Sequence, residues 1–272
     1  MRESVLSGSW YPNNKEELRQ DINSYLDKAE IHKEKEANKP LCLISPHAGY
    51  IYSGQVAAYA YKQILGKDFK RVIIIAPSHR YPLRSCALFD TGAFETPLGL
   101  IPVDEEFCSK LKEGDTIFQS ERAPHIEEHS LEIQLPFLQV VLREFKIVPM
   151  LFNDYEIDTC TRIAESLHRF LDAETLVVSS SDLSHFYPQR KAELLDHRLI
   201  EHIRDIDAEG LVNDLKNGRC EACGASPIVI SLLLAKMSSS PSSAIYRYAT
   251  SGDVTGDYDE VVGYLAAGLY KD

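Results

Sequence analysis

Two histidines stand just past two apolar runs. Leu41-Cys42-Leu43-Ile44 leads into Pro46-His47-Ala48-Gly49-Tyr50, and Val72-Ile73-Ile74-Ile75-Ala76 leads into Pro77-Ser78-His79-Arg80. Histidine is the commonest side-chain metal ligand and carries protons near neutral pH. Two of them at equivalent chain positions can meet in one pocket, so His47 and His79 read as metal-binding or catalytic. A third run, Thr175 to Ser181, leads into Asp182-Leu183-Ser184-His185. On a helical first turn that spacing puts Asp182 and His185 on one face. His185 then reads as an acid/base group and Asp182 as the carboxylate behind it.

Cys223-Gly224 precedes an apolar stretch over 228–237 that reads as a helix. A helix N-terminus lowers a thiol pKa, which suits a thiolate ligand or nucleophile. Cys220 lies three residues earlier, at redox or zinc spacing. No second pair completes a structural zinc site, so Cys220 reads as incidental. His129, in Glu127-Glu128-His129-Ser130-Leu131-Glu132, reads equally as a fourth pocket histidine or as part of an ordinary helix start. Trp10, the only tryptophan, is core packing or an aromatic pocket wall. His32, His168, His197 and His202 read as residues of polar helix faces and connections, and Cys42 as core.

The elements that position these residues follow from apolar spacing. Short runs of branched residues bounded by proline are buried strands. Ligands bind in the crevice beyond the carboxyl ends of such strands. Ser53 reads as the N-cap of a helix after the first strand. Further helices are expected over 16–28, 131–142 (with Pro136 starting or kinking it), 157–171, 189–204 and 228–237, and Asp104 caps a short one. Strands are expected over 146–151, 175–181, 244–249 and 261–270, with β-structure and turns over 85–102. Repeated strand-then-helix order means an α/β fold: a single layered α/β/α domain, residues 1–272, around a central mixed sheet.

The chain has 272 residues and a formal net charge of −12. That balance argues against broad binding to nucleic acid or anionic membranes. No apolar run is long enough to span a bilayer, and Met1-Arg2-Glu3-Ser4 opens no signal peptide. A cytoplasmic protein with six reduced cysteines is expected.

These motifs together resemble the Memo family. Gly8-Ser9-Trp10-Tyr11-Pro12, Pro46-His47-Ala48-Gly49-Tyr50, Pro77-Ser78-His79, Glu128-His129-Ser130-Leu131-Glu132, Ser180-Ser181-Asp182-Leu183-Ser184-His185 and Cys223-Gly224 occur in that family's order. The resemblance implies a fold shared with class III extradiol dioxygenases of the LigB type. It implies a metal pocket where His47, His79 and Cys223 converge, with Asp182 and His185 beside it. The dioxygenases hold Fe(II) with two histidines and a glutamate; here a cysteine takes the third place. Two imidazoles and a thiolate suit one redox metal ion, iron(II) or copper, and also zinc. The expectation is a metal-dependent oxidoreductase acting on a small molecule, with weak or absent catechol ring cleavage. His185 and His129 would manage protons and Asp182 would orient them. The family also implies a link to AMMECR-type and radical SAM proteins. One alternative is a non-catalytic module that binds a (phospho)peptide or small anion in the same crevice, between Trp10 and Tyr52. Another is a hydrolase with Cys223 as nucleophile.

Overall fold

Buried strands account for the apolar runs. The computed structural model describes residues 1–271. In chain order its elements are α1 (Lys15–Lys28), β1 (Pro40–Ser45), α2 (Tyr50–Lys62), β2 (Arg71–Ala76), β3 (Cys86–Leu88), β4 (Ala93–Thr96), β5 (Gly99–Pro102), α3 (Glu105–Gly114) and β6 (Phe118–Ser120). Then follow α4 (Ala123–Ile126), α5 (His129–Glu132), α6 (Leu135–Val141), β7 (Lys146–Leu151), α7 (Ile157–His168), β8 (Thr175–Ser180) and β9 (His185–Tyr187). The chain closes with α8 (Gln189–Asp205), α9 (Ala208–Lys216), α10 (Ala225–Lys236), β10 (Pro241–Thr250), α11 (Gly252–Thr255) and β11 (Val261–Lys271).

One mixed sheet runs β10-β11-β1-β8-β2-β7-β3-β6, with β9 on β11. Its centre is parallel: β1 pairs β8, β8 pairs β2, and β2 pairs β7. Every residue of β1 and β8 is buried, as expected for parallel strands covered on both faces. One group of helices, α1, α2 and α6, packs together; another is built around α10, with α7 and α9. Helix α10 is buried on every side from Ala225 to Ala235, so it lacks the polar face of a surface helix. The expected layered α/β arrangement with a mixed sheet is the one observed.

Four local expectations are corrected. The 131–142 helix is two short ones, α5 and α6. Pro136 sits in the first turn of α6, where its missing N–H costs nothing, and its ring prevents an unbroken helix through Glu132. Helix α2 starts at Tyr50, and Ser53 Oγ donates to the Ala48 carbonyl instead of capping. The β-structure expected over 85–102 is present: β3 joins the main sheet, while β4 and β5 form a separate hairpin. No helical turn joins Asp182 to His185, because His185 is drawn into β9 by its pairing with Val262. His202 lies on no polar face: its ring is buried between Asp207 (3.1 Å) and Asp214 (2.9 Å), which satisfy both nitrogens where α8 meets α9.

Candidate metal centre

The carboxyl ends of β1, β8 and β2 lie side by side and deliver His47, Asp182 and His79 to one crevice. Ser45 is level with Ser180, and Ile75 with Ser179. Strand β8 therefore stands between the two histidine-bearing strands. This is the site that an open α/β sheet offers a ligand. Cys223 reaches it from the loop before α10. The loop can approach because residue 224 is glycine: a Cβ there would fall 2.3 Å from the Ser180 carbonyl oxygen and 2.5 Å from Ser181 Cβ. Gly224 N–H donates to Ser181 Oγ at 3.0 Å, and Asp182 N–H to Cys223 Sγ at 3.2 Å.

One donor atom each from His47, His79 and Cys223 lies within 4.8 Å of the others. Cys223 Sγ is 3.0 Å from His47 Nε2. The hydrogen bonds behind the rings decide which nitrogens are free. Ser180 Oγ donates its one hydrogen to the Ser130 carbonyl at 2.5 Å and accepts from Gln134 Nε2 at 2.7 Å. Toward His47 Nδ1, 3.0 Å away, it can therefore only accept. His47 thus carries its hydrogen on Nδ1 and turns the Nε2 lone pair toward Cys223. Gln134 cannot flip: its amide nitrogen also donates to the Pro46 carbonyl at 2.9 Å, and its oxygen accepts from Tyr61 Oη at 2.6 Å. His79 Nδ1 meets Glu128 Oε1 at 2.9 Å, which leaves Nε2 for a metal.

A second cluster, His79, Glu128 and His129, has ligand chemistry, but its carboxylate is already engaged by the groups around it. Glu128 Oε1 faces His79 Nδ1, His129 N–H and Ser130 N–H, the last two at 3.0 Å, and Oε2 accepts the His79 N–H at 2.6 Å. These bonds consume the carboxylate's lone pairs. Glu128 is the N-cap of α5 and the support of His79. Burial alone would push its carboxyl up, but the His79 side chain and the N–H groups hold it down at about 2.

The rings crowd together. His79 stacks on His129 with centroids 4.3 Å apart, His47 stands edge-on to both, and Trp10 covers His129 at 4.6 Å. Burial, and then repulsion from His129, His79 and His185, keep His47 well below the usual imidazole pKa. Burial sets His129 at about 4 against the pull of Glu128. Neutral imidazole is the form that binds metal. His185 is also lowered by burial, and its backbone N–H donates to Glu221 Oε1 at 3.0 Å. Asp182 Oδ1 accepts the His47 backbone N–H at 2.7 Å, so it holds the loop that carries the ligand. Burial raises its carboxyl to about 7, against the N–H groups of His47 and Ala48.

The thiol departs from expectation. The helix start was expected to favour thiolate, yet burial, with the Asp182 charge adding, pushes Cys223 well above the usual thiol pKa. Desolvation outweighs the N–H groups that oppose it. In the metal-free protein the thiol therefore keeps its hydrogen and points it at His47 Nε2. A metal would take the place of that hydrogen, which fits the group to an N₂S donor set. Cys220 is buried apart from the donor set, and Cys42 is fully buried in β1.

Sequence reasoning did not single out Ser180, Gln134 or Glu128 as supports. Two signals were present. The serines at the end of an all-buried strand needed partners, and Glu128 before His129-Ser130 has the pattern of an N-cap. Trp10 and Tyr52 both line a cavity beside the centre.

Known proteins are similar to this chain over its whole length. A family profile described as Memo-like protein matches residues 2–268. A MEMO1 family protein of Methanobrevibacter smithii is 35% identical over 282 residues, covering all of both chains. Those of Aquifex aeolicus and Thermotoga neapolitana are each 36% identical, over 97% of both chains for the first, and 98% of this chain and 99% of the relative for the second. With the motifs in order and matches of this length, the chain belongs to the Memo family.

Proposed function

We propose that this protein is a metal-dependent oxidoreductase whose mononuclear centre is held by His47, His79 and Cys223. The observation that carries the reading is the meeting of three donors within 4.8 Å, with both imidazole lone pairs aimed by Ser180 and Glu128. Iron(II) or copper suits two imidazoles and a thiolate, and zinc is the redox-inactive competitor. Such an ion, when bound, supplies electron transfer and an electrophilic position for oxygen or substrate.

The chain's own residues supply the rest. Ser180 and Glu128 hold the rings of His47 and His79 and fix which nitrogens face inward. Asp182 fixes the backbone of His47. His185 and His129 are neutral imidazoles near the centre, each able to accept a proton from a substrate and return it. Trp10, with His129 beneath it, shields one side from water. A small molecule is the partner class this crevice suits, in a cytoplasmic setting.

Two rival readings find less support. A cysteine hydrolase would use the Cys223–His47 contact as nucleophile and base, but it leaves the inward-turned His79 lone pair without a role. An anion- or phosphopeptide-binding module needs cations, and the cavity beside the centre is lined by none.

The test is metal analysis of protein purified anaerobically, for wild type and for the single variants His47→Ala, His79→Ala and Cys223→Ser. One iron or copper per chain, lost in all three variants while each remains folded, supports the reading. Full metal content in the variants overturns it. Oxygen uptake by the loaded protein, with and without catechols, then separates redox turnover from ring opening.

A further inference from the structure

A cavity of about 650 Å³ opens beside the donor residues. Ala48 and Gly49, the residues after His47, form part of its wall. Four aromatic rings face it: Trp10, Tyr52, Phe186 and Tyr264. Its remaining charge is all of one sign, from Asp257 and Glu260. Arg80, which follows His79, is already paired with Glu127 at 3.1 Å. The cavity borders the loop that carries His47.

Phe186 lines this cavity from the bulge where β9 shifts register on β11. It directly follows His185, is 68% exposed, and has φ 61° in the left-handed region. A bulky residue rarely occupies that region; here the bulge imposes it and turns the ring outward. Its neighbours His185 and Tyr187 pair with β11 on either side of it.

Aromatic faces carry negative charge density and attract cations; carboxylates do the same at longer range. They repel phosphate and carboxylate groups. We propose that this cavity seats the substrate of the metal centre, and that the substrate is a small organic amine carried as an ammonium cation on an apolar or aromatic body. Trp10, Tyr52, Phe186 and Tyr264 enclose the body, and Asp257 and Glu260 select the charge. The identity of this compound as substrate rests on the metal-centre reading; the preference for a cation does not.

Trp10 reports on the cavity, because it is the only tryptophan. Its fluorescence is titrated with phenethylammonium, 3-phenylpropionate and phenyl phosphate at one ionic strength. The expected result is that phenethylammonium binds about tenfold more tightly than either anion. The double variant Asp257→Asn/Glu260→Gln closes most of that gap, and Phe186→Ala weakens all three probes. The preference persists in metal-free His47→Ala protein, so loss of the metal reading leaves this result standing. Equal or tighter binding of either anion overturns the proposal. So does a preference unchanged in the double variant, or the absence of saturable binding by all three probes.

Discussion

Cys223 Sγ stands 3.0 Å from His47 Nε2, although 176 positions separate the two residues in the chain. The thiol hydrogen and the imidazole lone pair meet where a metal would bind both atoms. A variant series follows. Cys223→Ser should lose metal and any thiolate-to-metal charge-transfer absorption. Cys220→Ser should keep both and cost only packing, because Cys220 is buried outside the donor set. Equal losses in the two variants would point to a paired Cys-x-x-Cys site.

Removing a support behind a ligand should weaken the centre without removing a ligand. Glu128→Gln keeps the shape but ends the charge-assisted grip on His79, and Ser180→Ala frees the ring of His47. Each should lower affinity about 10–100-fold, read by chelator competition with Co(II) or Zn(II). Unchanged affinity in both would mean that the ring orientations are set by packing alone.

Arg2 and Glu132 form a buried ion pair that anchors the N-terminal segment. Glu132 also accepts from Val5 N–H (3.0 Å), Leu6 N–H (3.1 Å), Ser4 Oγ (2.7 Å) and Tyr11 Oη (2.5 Å). Arg2→Met leaves that carboxylate buried without its cation, which should cost about 3–5 kcal/mol in urea unfolding. Trp10 lies on this anchored segment, so its emission should shift to the red in the same variant. A loss below about 1 kcal/mol would show that the N–H and hydroxyl donors suffice.

His125 should make stability fall in mild acid. Its ring is buried, Nε2 donates to the Ala87 carbonyl at 3.1 Å, and Nδ1 has no partner. Burial first, and Arg2 in addition, lower its pKa from 6.5 to about 4. Between those values the unfolded chain binds the proton and the folded chain does not. Stability is therefore full above the unfolded pKa and lost as pH drops from about 6.5 toward 4. This one group should account for about 2 kcal/mol between pH 7 and pH 5. Urea unfolding of metal-free wild type and His125→Gln at the two pH values measures it. Identical pH slopes would remove His125 as a cause.

Local chemistry settled much of this protein before any tertiary contact. Short runs of apolar, mostly branched residues are satisfied as buried strands, so β1, β2 and β8 were legible, with His47, His79 and Asp182 at their ends. The ordered motifs carried the family. The reason for one of them is tertiary: Gly224 is needed because the chain passes too close to Ser180 for a side chain. Long-range packing decided the rest. Strand β8 enters between β1 and β2, and no spacing rule predicts which strand fills a gap in a parallel sheet. That insertion places Ser180 behind His47, and the fold of the segment after β6 places Glu128 behind His79. Tautomers and donor atoms follow from those two contacts. The thiol pKa of Cys223 depends on how deeply the finished fold buries it, so a helix-start argument pointed the wrong way. His202 was misread for the same reason: its two carboxylate partners come from the next helix, and their approach is a property of packing rather than of the helix that carries the ring.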